Sequence, residues 1–211
     1  MMSMAFCYNE FMKIGIDASR AFVKNPTGTE RYSYEVITRL LKLPEARKHT
    51  WILYTRNSPP AAAYPSLNLR EGKGVSYKEI KLPYLWTQVG LAARTWVDNL
   101  DVLWIPAHTL PVLRKPGIRT VVTIHGIEYE WLPAYESLLQ RWYLPLSTQY
   151  AVRSATKIIA VSEFTKRELV RRLGARADKI EVIHEGVSPQ TLNPKSEILN
   201  KLKIQKHKYL L

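Results

Sequence analysis

The sequence predicts an α/β fold, a doubly wound and mostly parallel sheet of about seven strands with helices on both faces. Two observations carry that expectation. From Lys13 onward, short β-branched runs alternate with longer amphipathic stretches, and most of the runs are too apolar for a strand with one face in water. The chain of 211 residues is also 46% hydrophobic, enough to bury a sizeable core.

The strands expected in order are Lys13 to Asp17, Trp51 to Thr55, Val75 to Ile80, Val102 to Ile105, Thr120 to Ile124, Lys157 to Val161 and Ile180 to Ile183. Between the first two, Tyr32, Val36, Ile37, Leu40 and Leu41 recur at helical spacing, with Glu30, Arg31, Glu35, Arg39 and Lys42 opposite them. Further helices are expected over Leu85 to Val97, Leu138 to Ala155 and Ser162 to Leu173, the last closed by Gly174 as a left-handed cap. The proline-containing pieces Asn57 to Pro65 and Pro106 to Pro116 read as loops.

Charge and cysteine usage narrow the function. An excess of 31 Lys plus Arg over 18 Asp plus Glu gives +13, which favours anionic partners such as phosphorylated small molecules or acidic membrane surfaces. Nucleic acid is not expected, because zinc-finger spacing, an RNA-binding aromatic signature and a basic recognition helix are all missing from the sequence. The single cysteine, Cys7, builds neither a disulfide framework nor a thiolate metal site, and a reducing, cytoplasmic setting fits. No apolar run has the length of a membrane span.

Candidate chemistry gathers where strands end. Thr27 and Glu30 are spaced as a capping box, so a helix should begin at Gly28 with its free N–H groups facing the carboxyl edge of the sheet. Gly28 and Thr29 can bind a diphosphate there, although the same residues also serve an ordinary capped helix. His125 follows an apolar strand and opens into the cleft, where it can hydrogen-bond a sugar hydroxyl or simply satisfy loop carbonyls. His108 shares that strand-end position. Ser162 reads first as an N-cap. The cationic run Lys166, Arg167, Arg171 and Arg172 reads as a solvated face, and Trp131 and Tyr135 read first as packing residues, able otherwise to stack on a sugar or rest at a lipid interface. A nicotinamide enzyme is disfavoured, since the first strand-to-helix turn has no dinucleotide glycine fingerprint.

Taken together, these segments resemble the N-terminal domain of retaining glycosyltransferases of family four, in the GT-B class. Lys13 to Ser19 followed by Gly28, Thr29, Glu30, Arg31 and Tyr32 is similar to that family's first strand and glycine loop. Thr123, Ile124 and His125 resemble its strand ending in a cleft histidine, with Gly126 standing where many members carry aspartate. The stretch Ala155 to Lys166 is the most specific, and Ile180 to Val187 resembles the last strand before the interdomain linker.

The resemblance implies a Rossmann-like domain that shapes the acceptor pocket, in an enzyme moving a sugar from a nucleoside-diphosphate donor to a hydroxyl acceptor with retention. On that reading, residues 1–11 are a flexible extension, 12–188 the acceptor-side domain, and 189–211 a linker and truncated start of a C-terminal donor-binding domain. It implies a catalytic role for His125 and donor-phosphate binding by Gly28 and Thr29. Arg31, Tyr32, His108, Glu128 and Trp131 would bind the acceptor, and Ser162 and Thr165 would line the cleft. The nucleotide sugar is substrate, and no separate cofactor is implied. Saccharide or lipid-linked acceptors, in polysaccharide or glycolipid assembly at the cytoplasmic face of a membrane, are the expected partners. The alternative is an inactive half-transferase that binds a membrane or another subunit.

Overall fold

A computed structural model describes residues 11–58, 74–127 and 138–186. Seven parallel strands form one sheet: β1 (Lys13–Asp17), β2 (Thr50–Thr55), β3 (Val75–Glu79), β4 (Val102–Ile105), β5 (Arg119–Ile124), β6 (Lys157–Ala160) and β7 (Ile180–Val182). Their order is β3-β2-β1-β4-β5-β6-β7, with every neighbouring pair parallel. The expected doubly wound sheet is therefore present, and its strands differ from the expected bounds only at their ends.

Alternation along each strand divides the core between the two faces. Ile14 and Ile16 of β1, Trp51 and Leu53 of β2 and Trp104 of β4 pack with Ile37 and Leu41 of the first helical region. Ile52, Tyr54, Leu103, Ile105, Val122 and Ile124 point the other way, onto Trp86, Leu91, Val152 and Leu169. β3 closes one edge and is the exception to the apolar pattern, since Ser76 and Tyr77 are exposed there.

The first helix, α1 (Gly28–Leu40), starts where its capping box predicts. Of its expected face, Ile37 and Leu41 lie in the core and Val36 and Leu40 pack against it, with Tyr32 the exception. Ser33, Ile37 and Thr38 are the buried positions, whereas Tyr32 is half-buried and turned toward the cleft. Small hydroxyl residues can take the close-packed side because each bonds back to its own helix, Ser33 to the Thr29 carbonyl at 2.8 Å and Thr38 to that of Tyr34 at 2.7 Å.

The stretch expected as one helix over Leu85 to Val97 is a π-helical segment, Trp86–Leu91, running into α2 (Ala92–Val97). Trp86 and Leu91 are both buried although five residues apart, a spacing that wide i→i+5 winding brings onto one face. Gly90 permits the approach, because a Cβ there would stand 2.5 Å from Ile80 Cγ2. The remaining helices are α3 (Leu138–Ser154) and α4 (Glu163–Leu173). α4 is capped by the Ser162 hydroxyl and closed by Gly174 in the left-handed conformation (φ 64°), as the sequence suggests. Among the aromatics, Trp86 and Trp104 are core, while Tyr84 and Trp96 are exposed.

Gly15 marks the tightest point of β1. A Cβ on it would stand 2.6 Å from Leu100 Cδ1 and 2.9 Å from Tyr54 Cε2, both in the buried core. Gly15→Ala should lower the unfolding free energy by about 1–3 kcal/mol, read as a lower urea midpoint at unchanged slope. An unchanged midpoint would show that Leu100 and Tyr54 give way freely.

Candidate functional site

The winding of the sheet reverses between β1 and β4, so the connections leaving these two strands diverge onto opposite faces and leave a crevice at their carboxyl ends. The start of α1 lies on one side. There the Glu30 carboxylate accepts the Thr27 N–H at 2.8 Å and also the Thr27 hydroxyl, which holds the entry turn. The first intrahelical bond runs from the Arg31 N–H to the Thr27 carbonyl at 2.9 Å, leaving the Gly28 and Thr29 N–H groups before it outside the helical ladder. Gly28 is exposed, and a Cβ on it would meet nothing within 4 Å.

His125 leaves the end of β5 and is the most connected side chain of the crevice. Its Nε2 lies 3.0 Å from the Pro106 carbonyl, in the loop after β4, and its Nδ1 lies 2.8 Å from Glu185 Oε1, after β7. Its own carbonyl accepts the Thr165 hydroxyl at 3.4 Å. The edge of the Tyr32 ring meets the imidazole at a centroid distance of 4.7 Å, and the His108 ring lies 5.9 Å away. Five connections thus deliver side chains to one place.

Burial sets the electrostatics. His108 is half-buried, but its Nδ1 is fully enclosed with no hydrogen-bond partner among the described residues. Desolvation, followed by the neighbouring His125, pulls its pKa down to about 4, so the ring is neutral at ordinary pH. Burial also raises the Tyr32 hydroxyl, opposed by its bond to Thr123 and aided by the nearby Glu185. At the end of β1, burial raises the Asp17 carboxyl against its bond from the Ser19 N–H at 3.0 Å and the fields of Arg20 and Arg56.

Of the residues singled out in the sequence, Tyr32, His108, His125 and Thr165 come together, with Gly28 and Thr29 one helical turn before Tyr32. Ser162 caps α4 through the Thr165 N–H at 3.0 Å and reaches the crevice only through that residue. Arg31 is exposed on α1. Glu128 and Trp131 lie outside the described residues. Asp17 and Glu185 were not singled out. Asp17 ends the first strand, a position that could have flagged it, whereas Glu185 meets His125 across 60 residues of chain and carries no local signal.

Among the described residues, no three of His, Cys, Asp and Glu converge as a metal site, and no helix is long and apolar enough to cross a membrane.

The Glycosyltransferase Family 4 sequence profile matches residues 26–191, which span every element from the start of α1 to β7. The chain belongs to Glycosyltransferase Family 4. Searched against curated proteins, it finds no match. Among solved structures, the family fold is shared with Anabaena Alr3699/HepE in complex with UDP and glucose, at 17% identity and a TM-score of 0.50, over 91% of this chain and 50% of that one. A Rickettsia africae glycosyltransferase matches at 17% identity and a TM-score of 0.47, over 95% of this chain and 51% of its own. The UDP-N-acetylglucosamine 2-epimerase of Rickettsia bellii matches at 16% and 0.48, over 93% and 52%. The chain thus spans about half the length of these structures, and its seven-stranded Rossmann-like sheet is that of a GT-B N-terminal domain.

The crevice of this family member has a pH signature in its stability. In the unfolded chain His108 takes up a proton near pH 6.5, but in the folded chain only near pH 4. Between those values the unfolded state holds the extra proton, so stability falls on acidification through this window and is fully present above it. At about 1.4 kcal/mol per pKa unit the loss approaches about 3 kcal/mol. Urea unfolding of His108→Gln between pH 7 and 4.5 should show a flatter pH dependence than wild type, and parallel curves would refute the assignment.

Proposed function

We propose that residues 12–188 form the acceptor-side domain of a glycosyltransferase that moves a sugar from a nucleoside-diphosphate donor to a hydroxyl acceptor with retention, and that 189–211 lead toward a donor-binding domain. The observation carrying this reading is the meeting, at the β1/β4 crevice, of His125 with Tyr32 of α1, one turn beyond the Gly28 and Thr29 N–H groups, in a chain of this family. The fold likeness to a protein solved with UDP and glucose makes uridine nucleotides the first donors to try.

In this scheme the anomeric carbon's bond to the β-phosphate oxygen breaks while the acceptor hydroxyl oxygen bonds to the same face. The hydroxyl proton passes to the departing phosphate. Negative charge therefore grows on the β-phosphate, where the Gly28 and Thr29 N–H groups and the positive end of α1 stabilise it more than they stabilise the intact donor. No side chain attacks the sugar, so no carboxylate nucleophile is required, and no step is assigned to a metal or cofactor. His125 approaches the transferred sugar. Tyr32 and His108, with Arg31, Glu128 and Trp131, shape the acceptor pocket, and Thr165 lines it.

A lipid-linked acceptor at the cytoplasmic face of an acidic membrane suits the surface beside the crevice. Tyr84, Leu85, Val89, Val112 and Leu113 are exposed there, on stretches 80–97 and 102–127 that contain no Asp or Glu. The Gln88 side chain ties the two stretches together, donating to the Leu110 carbonyl and accepting the Val112 N–H.

The test is label transfer from a panel of UDP-, GDP- and ADP-sugars by the full-length polypeptide carrying this chain, with product configuration read by NMR. Transfer with retention is expected. Gly28→Trp and His125→Ala should each lower kcat/KM about 100-fold, and Gly28→Ala should leave stability unchanged because its Cβ points into open space. Wild-type rates in both of the first two variants would overturn the site, and no transfer from any donor would overturn the function.

A further inference from the structure

We infer that Glu185 is a positioning residue for His125, its carboxylate fixing the imidazole in the orientation used at the crevice. The inference rests on the transferase reading for its kinetic consequence, but its structural content stands alone.

His125 is clamped from both flanks of β5. The Pro106 carbonyl, from the loop after β4, takes Nε2 at 3.0 Å, and Glu185 Oε1, from the segment leaving β7, takes Nδ1 at 2.8 Å. A carbonyl and a carboxylate only accept, so both bonds are made together only when both ring nitrogens carry protons. A neutral ring keeps one bond and presents a lone pair to the other acceptor. The anionic carboxylate is the stronger acceptor of the two, so Glu185 holds the ring in the form that carries a proton on Nδ1.

Among the described residues, that task falls to Glu185. The other described groups facing the imidazole are the Tyr32 ring edge from α1, the neutral His108 ring from the loop after β4, and the Thr165 hydroxyl from α4, which bonds the His125 backbone and not its ring. Arg20, in the connection after β1, acts on His108. Held between two acceptors, the ring keeps a fixed orientation beside Tyr32, one helical turn along from Gly28.

The contact is also not part of the core. The Glu185 side chain is 47% exposed and that of His125 14%, so removing the carboxylate frees the ring without opening a cavity.

The experiment uses the chain labelled with 15N in its histidine rings, with His125 assigned by comparison with His125→Gln. Wild type should show the Nδ1–H signal at His125. Glu185→Ala should lose the Nδ1–H signal, and Glu185→Gln should keep it, because the amide oxygen still accepts. In the full-length polypeptide, Glu185→Ala should lower kcat by about tenfold or more while donor KM moves less than about threefold, with Glu185→Gln restoring most of the rate. An unchanged His125 spectrum in Glu185→Ala overturns the inference. So does a rate loss that Glu185→Gln fails to restore. The spectra need no turnover, so absence of transfer in wild type would count against the functional reading alone.

Discussion

Parallel pairing is the constraint on which everything else in this chain depends. Because all seven strands run the same way, every carboxyl end lies on one edge of the sheet, and each connection must begin there. Right-handed crossovers then send α1 to one face and α2, α3 and α4 to the other, since the chain winds outward from β1 in one direction and from β4 in the opposite one. The crevice is what remains where the two windings part. His108, His125, Thr165 and Glu185 arrive from four different connections, and their meeting follows from strand order and not from nearness in sequence.

A rigid base supports that edge. Tyr54 of β2 donates its hydroxyl to Asp98 Oδ2 at 2.9 Å, and Lys78 of the edge strand β3 pairs with the other oxygen of the same carboxylate. Burial and the Asp98 charge both push the Tyr54 hydroxyl up, so it remains a donor. This trio joins β2, β3 and the end of α2 beneath the apolar layer. Closer to the crevice, the Trp104 indole donates to Thr123 Oγ1 at 3.1 Å, locking β4 to β5 one strand position before each turns into its functional loop. Buried polar groups with such complete partnering fix register. Placement of His108 and His125 therefore follows from paired strands, with little left to the loops themselves.

Sequence alone resolves what is local. Apart from the edge strand β3, the strands read correctly because buried parallel strands are mostly apolar, and the capping residues Thr27, Ser162 and Gly174 read correctly because caps act within a single turn. The π-helical turn at Trp86–Leu91 is not legible, since it arises from Gly90 pressing on Ile80 and from burying two residues five apart. Tyr32 scores as a core position by periodicity but serves the crevice, a choice made by the sheet that α1 packs on. Glu185 is invisible for the same reason. Its partner is 60 residues away, and nothing in His184-Glu185-Gly186 distinguishes a solvated carboxylate from one bonded to an imidazole.

The two histidines show how one fold edge makes unlike groups of like residues. His125 has acceptors on both nitrogens, whereas the enclosed Nδ1 of His108 has none among the described residues. At 5.9 Å between ring centres, two positive imidazoles would repel strongly in a partly desolvated site, so charge on one drives the other neutral. Glu185 adds to the difference. The carboxylate gives His125 an acceptor for Nδ1–H, while His108 keeps a neutral ring whose Nδ1 is unspent among the described residues. An enclosed polar atom without a partner costs about 1–3 kcal/mol, and a neutral imidazole cannot rotate its nitrogen onto a nearby carbonyl as a hydroxyl rotates its proton. In the proposed transfer the division is useful in both halves: His125, held in one orientation, faces the transferred sugar, and the neutral His108 can exchange a hydrogen bond with an acceptor hydroxyl.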